Sequence, residues 1–188
     1  FKALDANTTA SNNTAVGTSA LIANTTGATN TAIGTGALQT NTTADSNVAV
    51  GQAALGANTT GTSNTAVGTT SLYVNTTASN NTAIGRNAMV ANIDGENNTA
   101  VGSYSLDANT TGSNLTAMGQ GALGAATTGN SHTAFGKDAG NAVTTGSNNI
   151  FLGKDAGTTG SPGGSITTES NEVCIGDENI TEAHIQVD

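Results

Sequence analysis

Aliphatic and small polar positions alternate along this chain with a fixed long period. A Val, Ile, Met, Phe or Leu precedes each of nine glycines set 17 residues apart: Gly17, Gly34, Gly51, Gly68, Gly85, Gly102, Gly119, Gly136 and Gly153. The five residues ending at each glycine hardly change, from Asn-Thr-Ala-Val-Gly at 13–17 to Asn-Thr-Ala-Ile-Gly at 30–34. Alternation places Thr and Ile on one face and Asn and Ala on the other, so each string predicts a short strand. Three and four residues past the glycine come a small residue and an aliphatic one, as in Ala20-Leu21, Ala37-Leu38 and Ser71-Leu72. This segment is expected to form a second strand. An Asn-Thr-Thr corner follows, as at 24–27, where Asn and Gly suit the left-handed conformations of a tight turn.

A fixed period of this length means one small unit stacked many times. The expected fold is all-β, a parallel β-roll or solenoid of about ten 17-residue coils with a ladder step of about 4.8 Å. Identical Asn residues stacked in columns predict side-chain amide ladders along the rod. Each coil offers only about two sizeable aliphatic side chains for burial, such as Ile33 and Leu38, against the cost of ordering a whole coil. A single thin roll is therefore poorly supported, and a homo-oligomer is expected.

The frame changes near the end. After Gly153 the next equivalent glycine is Gly176, so six residues are inserted within Thr158–Ser170, a loop by its Gly-Ser-Pro-Gly-Gly content. Two parts follow: a repeat roll over 1–157, and an irregular loop with terminal strands over 158–188 that caps it. Phe151 and Cys174 replace the small Ala of the strands, which predicts a wider cross-section there. Ala183-His184-Ile185-Gln186-Val187 alternates and reads as a last strand. Phe1 begins in mid-repeat, as expected of a fragment or processed piece.

Composition narrows the function. Charged residues are 9% and aromatics 3%, which suits neither a disordered chain nor one large globular core. The net charge is −9, with Lys2, Arg86, Lys137 and Lys154 the only Lys or Arg residues. Four scattered cations cannot hold a nucleic acid or an anionic membrane surface. No apolar stretch is long enough to cross a bilayer, so membrane insertion is not expected.

Candidate chemistry is diluted by the repeat. His132 stands where Asn is usual; near the axis of a trimer it or His184 would be a metal ligand, but a polar substitution in an Asn column is the simpler reading. Lys137-Asp138 and Lys154-Asp155 read as a solvated ladder between stacked turns rather than as paired catalytic acids or a calcium site. Cys174, the only cysteine, reads as a packing residue. No catalytic residue, cofactor or metal site is assigned, and no enzyme activity is expected. The Thr pairs at the corners, 25–26 and 42–43 among them, form regular hydroxyl columns.

Asn-Thr-Ala-Ile-Gly followed by small residues and Asn-Thr-Thr-Gly corners resembles the heads of trimeric autotransporter adhesins. The 17-residue form is more similar to repeats of phage tail fibres and predatory-bacterial fibres, where such repeats often precede an intramolecular chaperone. The likeness covers residues 3–157. It departs in period, since the adhesin heads use shorter repeats. The resemblance implies a homotrimeric, extracellular attachment fibre on a bacterial surface or phage tail, for cell-surface or host recognition, with a glycan or protein receptor as partner. Tyr73, Arg86, Asp94, Glu96 and Tyr104, where the repeats differ, are the candidate surface contacts. A second reading is an ice-binding solenoid that uses the Thr columns.

Overall fold

The structure, a computed structural model, describes residues 2–161, 164–177 and 179–180. The expected terminal strand at 183–187, with His184, lies outside them. Ten strands of three residues each form one sheet: β1 (Thr14–Val16), β2 (Thr31–Ile33), β3 (Val48–Val50), β4 (Thr65–Val67), β5 (Thr82–Ile84), β6 (Thr99–Val101), β7 (Thr116–Met118), β8 (Thr133–Phe135), β9 (Ile150–Leu152) and β10 (Val173–Ile175). They stack in sequence order, all parallel and in register, so Thr31 faces Val48, Ala32 faces Ala49 and Ile33 faces Val50. The first nine strands are joined by eight turns of 17 residues, and a turn of 23 leads to β10. Nine ladder steps of about 4.8 Å make a sheet about 43 Å long. The fold is an all-β parallel solenoid.

Each coil has one strand, not two. The Ala-Leu segment forms a run of tight turns, because its Leu or Met takes a left-handed conformation: φ is 49° at Leu38, Leu55 and Leu72, and 53° at Met89. Such a backbone costs an L-residue roughly 1–2 kcal/mol. Full burial of the side chain offsets that at about 1.5–3 kcal/mol, and these Leu and Met side chains are fully buried. The segment still ladders, with the Leu38 N–H donating to the Ala54 carbonyl and the Leu55 N–H to that of Ser71, each at 3.0 Å.

The corner also differs from expectation. Gly27 and Gly61 are not left-handed; they are small because an added Cβ would lie 2.3–2.4 Å from a carbonyl oxygen of the next coil. The left-handed residue comes two positions later, at Thr29, Ser46 and Ser63. The glycine after each strand is constrained twice over. Gly85 has φ +138°, and a Cβ there would sit 2.4 Å from the Gly102 oxygen.

Two buried amide ladders run through the core. In one, the Nδ2 of Asn41, Asn58, Asn75, Asn92 and Asn109 each donates to the Oδ1 of the Asn one coil earlier, at 2.8–3.2 Å. In the other, Asn30, Asn47, Asn64 and Asn81 accept the backbone N–H of the residue one coil on and donate to a corner carbonyl. The buried Asn side chains of both ladders are thus satisfied at each of these steps, which is the condition for burying them.

Both ladders give way near the C-terminal end. Ala126 and Val143 continue the first, and Leu115 and His132 interrupt the second. Phe151 is fully buried, its ring in the room left by Gly140 and Gly157, which stand where earlier coils carry Leu or Met. Cys174 packs half-buried against this core, its thiol pushed up by burial and then by the Glu172 charge. Ser161 ties the inserted loop down, accepting from the Gly157 N–H and donating to the Gly176 carbonyl.

Candidate functional site: an apolar strand face and a polar notch

The middle Ala of each strand points inward; the flanking Thr and aliphatic residues point out. This corrects the expectation that the residue before the glycine is buried: Ile33 and Ile84 are 40% exposed and Val16 is 58% exposed. From β1 to β8 the buried Leu or Met of the coil leaves room only for Ala inside the strand, so the larger residue is left on the surface; Phe151 enters β9 where Gly140 and Gly157 replace that Leu or Met. Val16, Ile33, Ile84, Met118, Phe135, Leu152 and Ile175 therefore stand in one exposed or half-exposed column, beside a column of Thr31, Thr65, Thr82, Thr99, Thr116 and Thr133. A face of this length that no other element among the described residues covers is unusual for a monomer.

The corner threonines do not form a free array. The first Thr of every pair but 76–77 donates its hydroxyl to a carbonyl of the next coil, Thr25 to Thr42 and Thr59 to Thr76 at 3.0 Å. Past the first pair, Thr8-Thr9, only the second of each pair is exposed.

The five candidate contacts divide into three places. Asp94 and Glu96 are exposed at the corner, nine and eleven residues past Gly85. Arg86 and Tyr104 meet: the guanidinium carbon lies 5.2 Å from the ring centroid. Tyr73, 43% exposed, lies over Gly56, its ring 3.0 Å from where a Cβ would stand.

Tyr104 also lines a notch that sequence reasoning missed. Its other walls are Asp107, Gln120, Asp138 and Asn141, and Gly121 and Gly124 form its floor; the volume is about 320 Å³. Backbone pairing places Tyr104, Gly121 and Asp138 in one column, since the N–H of each donates to the residue just before its predecessor in that column. Asp107, Gly124 and Asn141 form a parallel column five residues past each repeat glycine. Only the Gly119 coil carries glycine in both columns, and that pairing was the available signal. Burial pushes the Asp107 carboxyl above the usual aspartate range, against a hydrogen bond from its own backbone that pulls it down. Lys137 pairs with Asp138 at 2.6 Å and Lys154 with Asp155, each within its own turn, so the ladder expected between stacked turns reduces to one contact among the described residues, Lys154 to Asp177 at 3.6 Å.

His132 stands in for an Asn within the second ladder. It is 1% exposed, and its Nδ1 accepts the Asn149 N–H at 3.2 Å, as an Asn Oδ1 would. The neutral ring thus carries its proton on Nε2, beside the Gly146 carbonyl but without a well-formed hydrogen bond. Its inward position keeps it off the exposed strand face. Burial lowers its pKa below the ordinary 6.5, outweighing the upward pull of the Gly146 and Asn149 backbone. The unfolded chain therefore binds a proton that the folded chain resists, and stability present above pH 6.5 is lost as pH falls below it. We expect the melting temperature to drop from pH 7 to pH 5, with a slope of at most about 1.4 kcal/mol per pH unit per chain. His132→Asn should flatten that part of the profile; an unchanged slope would mean the histidine does not govern it.

No group of three His, Cys, Asp or Glu side chains suited to a metal ion occurs among the described residues, nor does a helix long and apolar enough to cross a membrane. No protein-family model, curated protein or solved structure matches the chain.

Proposed function

We propose that the chain is a structural and adhesive segment of a homotrimeric, extracellular attachment fibre. The observation that carries this reading is the uncovered strand face, apolar along its whole length. Burying it against further copies would supply the core that a coil with one fully buried Leu or Met lacks. The threefold count rests on the resemblance of the repeat to trimeric fibre proteins. A rigid rod of satisfied amide ladders suits a part that spaces and presents a surface, and three parallel copies would multiply weak contacts through avidity. The fibre would sit on a bacterial surface or a phage tail, with a cell-surface glycan or protein as its receptor.

On an unboiled denaturing gel, the protein should run at about three times the mass of one chain and collapse to one chain on boiling. A single-chain band from a sample cross-linked beforehand in native buffer would contradict the trimer.

One observation favours the second reading, ice binding. The half-exposed Thr column of the strands stands on successive ladder steps from Thr65 to Thr133. Against it, Val48, Ile150 and Val173 interrupt the column, and its neighbour swells from Val16 to Met118 and Phe135. Such relief suits packing between chains better than a flat ice plane. Thermal hysteresis from a monomeric sample would reverse that judgement.

A further inference from the structure

We infer that the notch over Gly121 and Gly124 is a binding site for a neutral, hydroxyl-rich ring, a single pyranose unit of a glycan. The inference deepens the adhesive reading above and rests on it for its biological setting.

The notch is made by subtraction. In the two columns that cross it, every neighbouring coil carries a side chain at one position or both: Thr70 and Tyr73, Asn87 and Val90, Tyr104 and Asp107, Asp138 and Asn141. In the Gly119 coil both are missing, so Tyr104 and Asp138 belong to coils about 9.6 Å apart, twice the ladder step. Elsewhere such a gap is filled by a neighbour. Tyr73 lies over Gly56, and the Gln39 side chain reaches 3.3 Å from the Cβ position of Gly36. At Gly121 and Gly124 the neighbours also reach in, with Asp138 Oδ1 at 2.2 Å from the Cβ position of Gly121, but these short side chains leave open space above the backbone. Asp107 Oδ1 and Asn141 Oδ1 lie 3.2 Å and 2.5 Å from the Cβ position of Gly124, and the volume of about 320 Å³ remains. That is at the small end of ligand sites, enough for one ring.

The lining chemistry selects the occupant. Tyr104 offers an aromatic surface to the C–H face of a sugar, and Arg86 stacked at 5.2 Å holds the ring in place before any ligand arrives. Asp107 and Asn141 present oxygens that accept hydrogen bonds from adjacent hydroxyls, and the Asn141 amide can also donate. A chain of net charge −9 with two carboxylates in the notch repels anions. A metal ion is disfavoured because Asp138 is already paired with Lys137 and no third acidic, His or Cys group joins the two carboxylates. Repetition in three copies would raise a weak single-site affinity to useful avidity.

The test is saturation-transfer NMR on the intact protein with glucose, galactose, mannose and N-acetylglucosamine, and with calcium chloride as a separate titrant. Transfer to at least one sugar is expected, with binding at least tenfold weaker in Tyr104→Ala and in Gly124→Leu, which fills the notch, and unchanged in the control Ile93→Ala, an exposed residue away from the notch. Because Gly124→Leu displaces neighbours, Asp107→Asn supplies a gentler variant and should weaken the same sugar. No transfer from any of the four sugars, equal binding in Tyr104→Ala, or calcium binding alone would overturn the assignment. Light scattering on the same samples separates the two ideas. A trimer without sugar binding sinks the notch alone, and sugar binding by a monomer sinks the fibre assembly alone.

Discussion

Replacing two residues of the outward strand column, Val67→Asp together with Ile84→Asp, should break the proposed trimer into single chains of markedly lower melting temperature, since each then lacks the core that assembly supplies. Both side chains lie on the uncovered face, Ile84 at 40% exposure, so the substitution creates no internal cavity and breaks no amide ladder. In a trimer built on this face, six carboxylates would gather in two adjacent layers. Unpaired charges excluded from water cost several kcal/mol each, enough to reverse an association of ordinary strength. Sedimentation velocity should show a threefold loss of mass, and far-ultraviolet circular dichroism should melt out at a lower temperature. A trimer that survives the double substitution would place the contact on another face.

Gly85→Ala should be among the most damaging single-atom changes in the roll. The φ of +138° is a region L-residues rarely occupy, at roughly 1–3 kcal/mol of strain. The added Cβ would also press the Gly102 carbonyl at 2.4 Å and 2.5 Å from its oxygen and carbon. That carbonyl belongs to the next coil, so relief requires opening the ladder between β5 and β6. Loss of more than 3 kcal/mol is expected, read as a lowered denaturation midpoint. Gly36→Ala, at φ +69° with only a Gln39 side chain nearby, should cost markedly less. Equal effects would show that the close carbonyl contact does not matter.

The contrast between these two glycines explains what the sequence made legible. The period alone fixes the register, because identical residues must stack: Thr31 on Val48, Ile33 on Val50. It also predicted the amide ladders, since a column of Asn has no other economical use inside a thin coil. Alternation said that Thr31 and Ile33 share a face but not which face is inside. Size decides that, as a coil this narrow admits Ala32 and excludes Ile33. The Ala-Leu segment misled for a different reason. A left-handed Leu is a tertiary outcome, forced by closing the coil, and no local preference announces it.

The candidate site was half visible. Arg86 and Tyr104 stood out as departures from the repeat and do come together, whereas Asp94 and Glu96 depart just as clearly and sit at another corner. Asp107 and Asn141 were unremarked because nothing in their own neighbourhood in sequence distinguishes them. They matter through Gly124, 17 residues from each, and such a relation emerges only when the coils are aligned column by column.

The central claim is that this roll completes its core with copies of itself. Light scattering on a sizing column, applied to the unmodified protein at neutral pH, tests it most directly. The account predicts a single species of about three times the 18.2 kDa chain mass. A stable, folded species at the mass of one chain would contradict it, and would show that the apolar strand face is made to meet something other than itself.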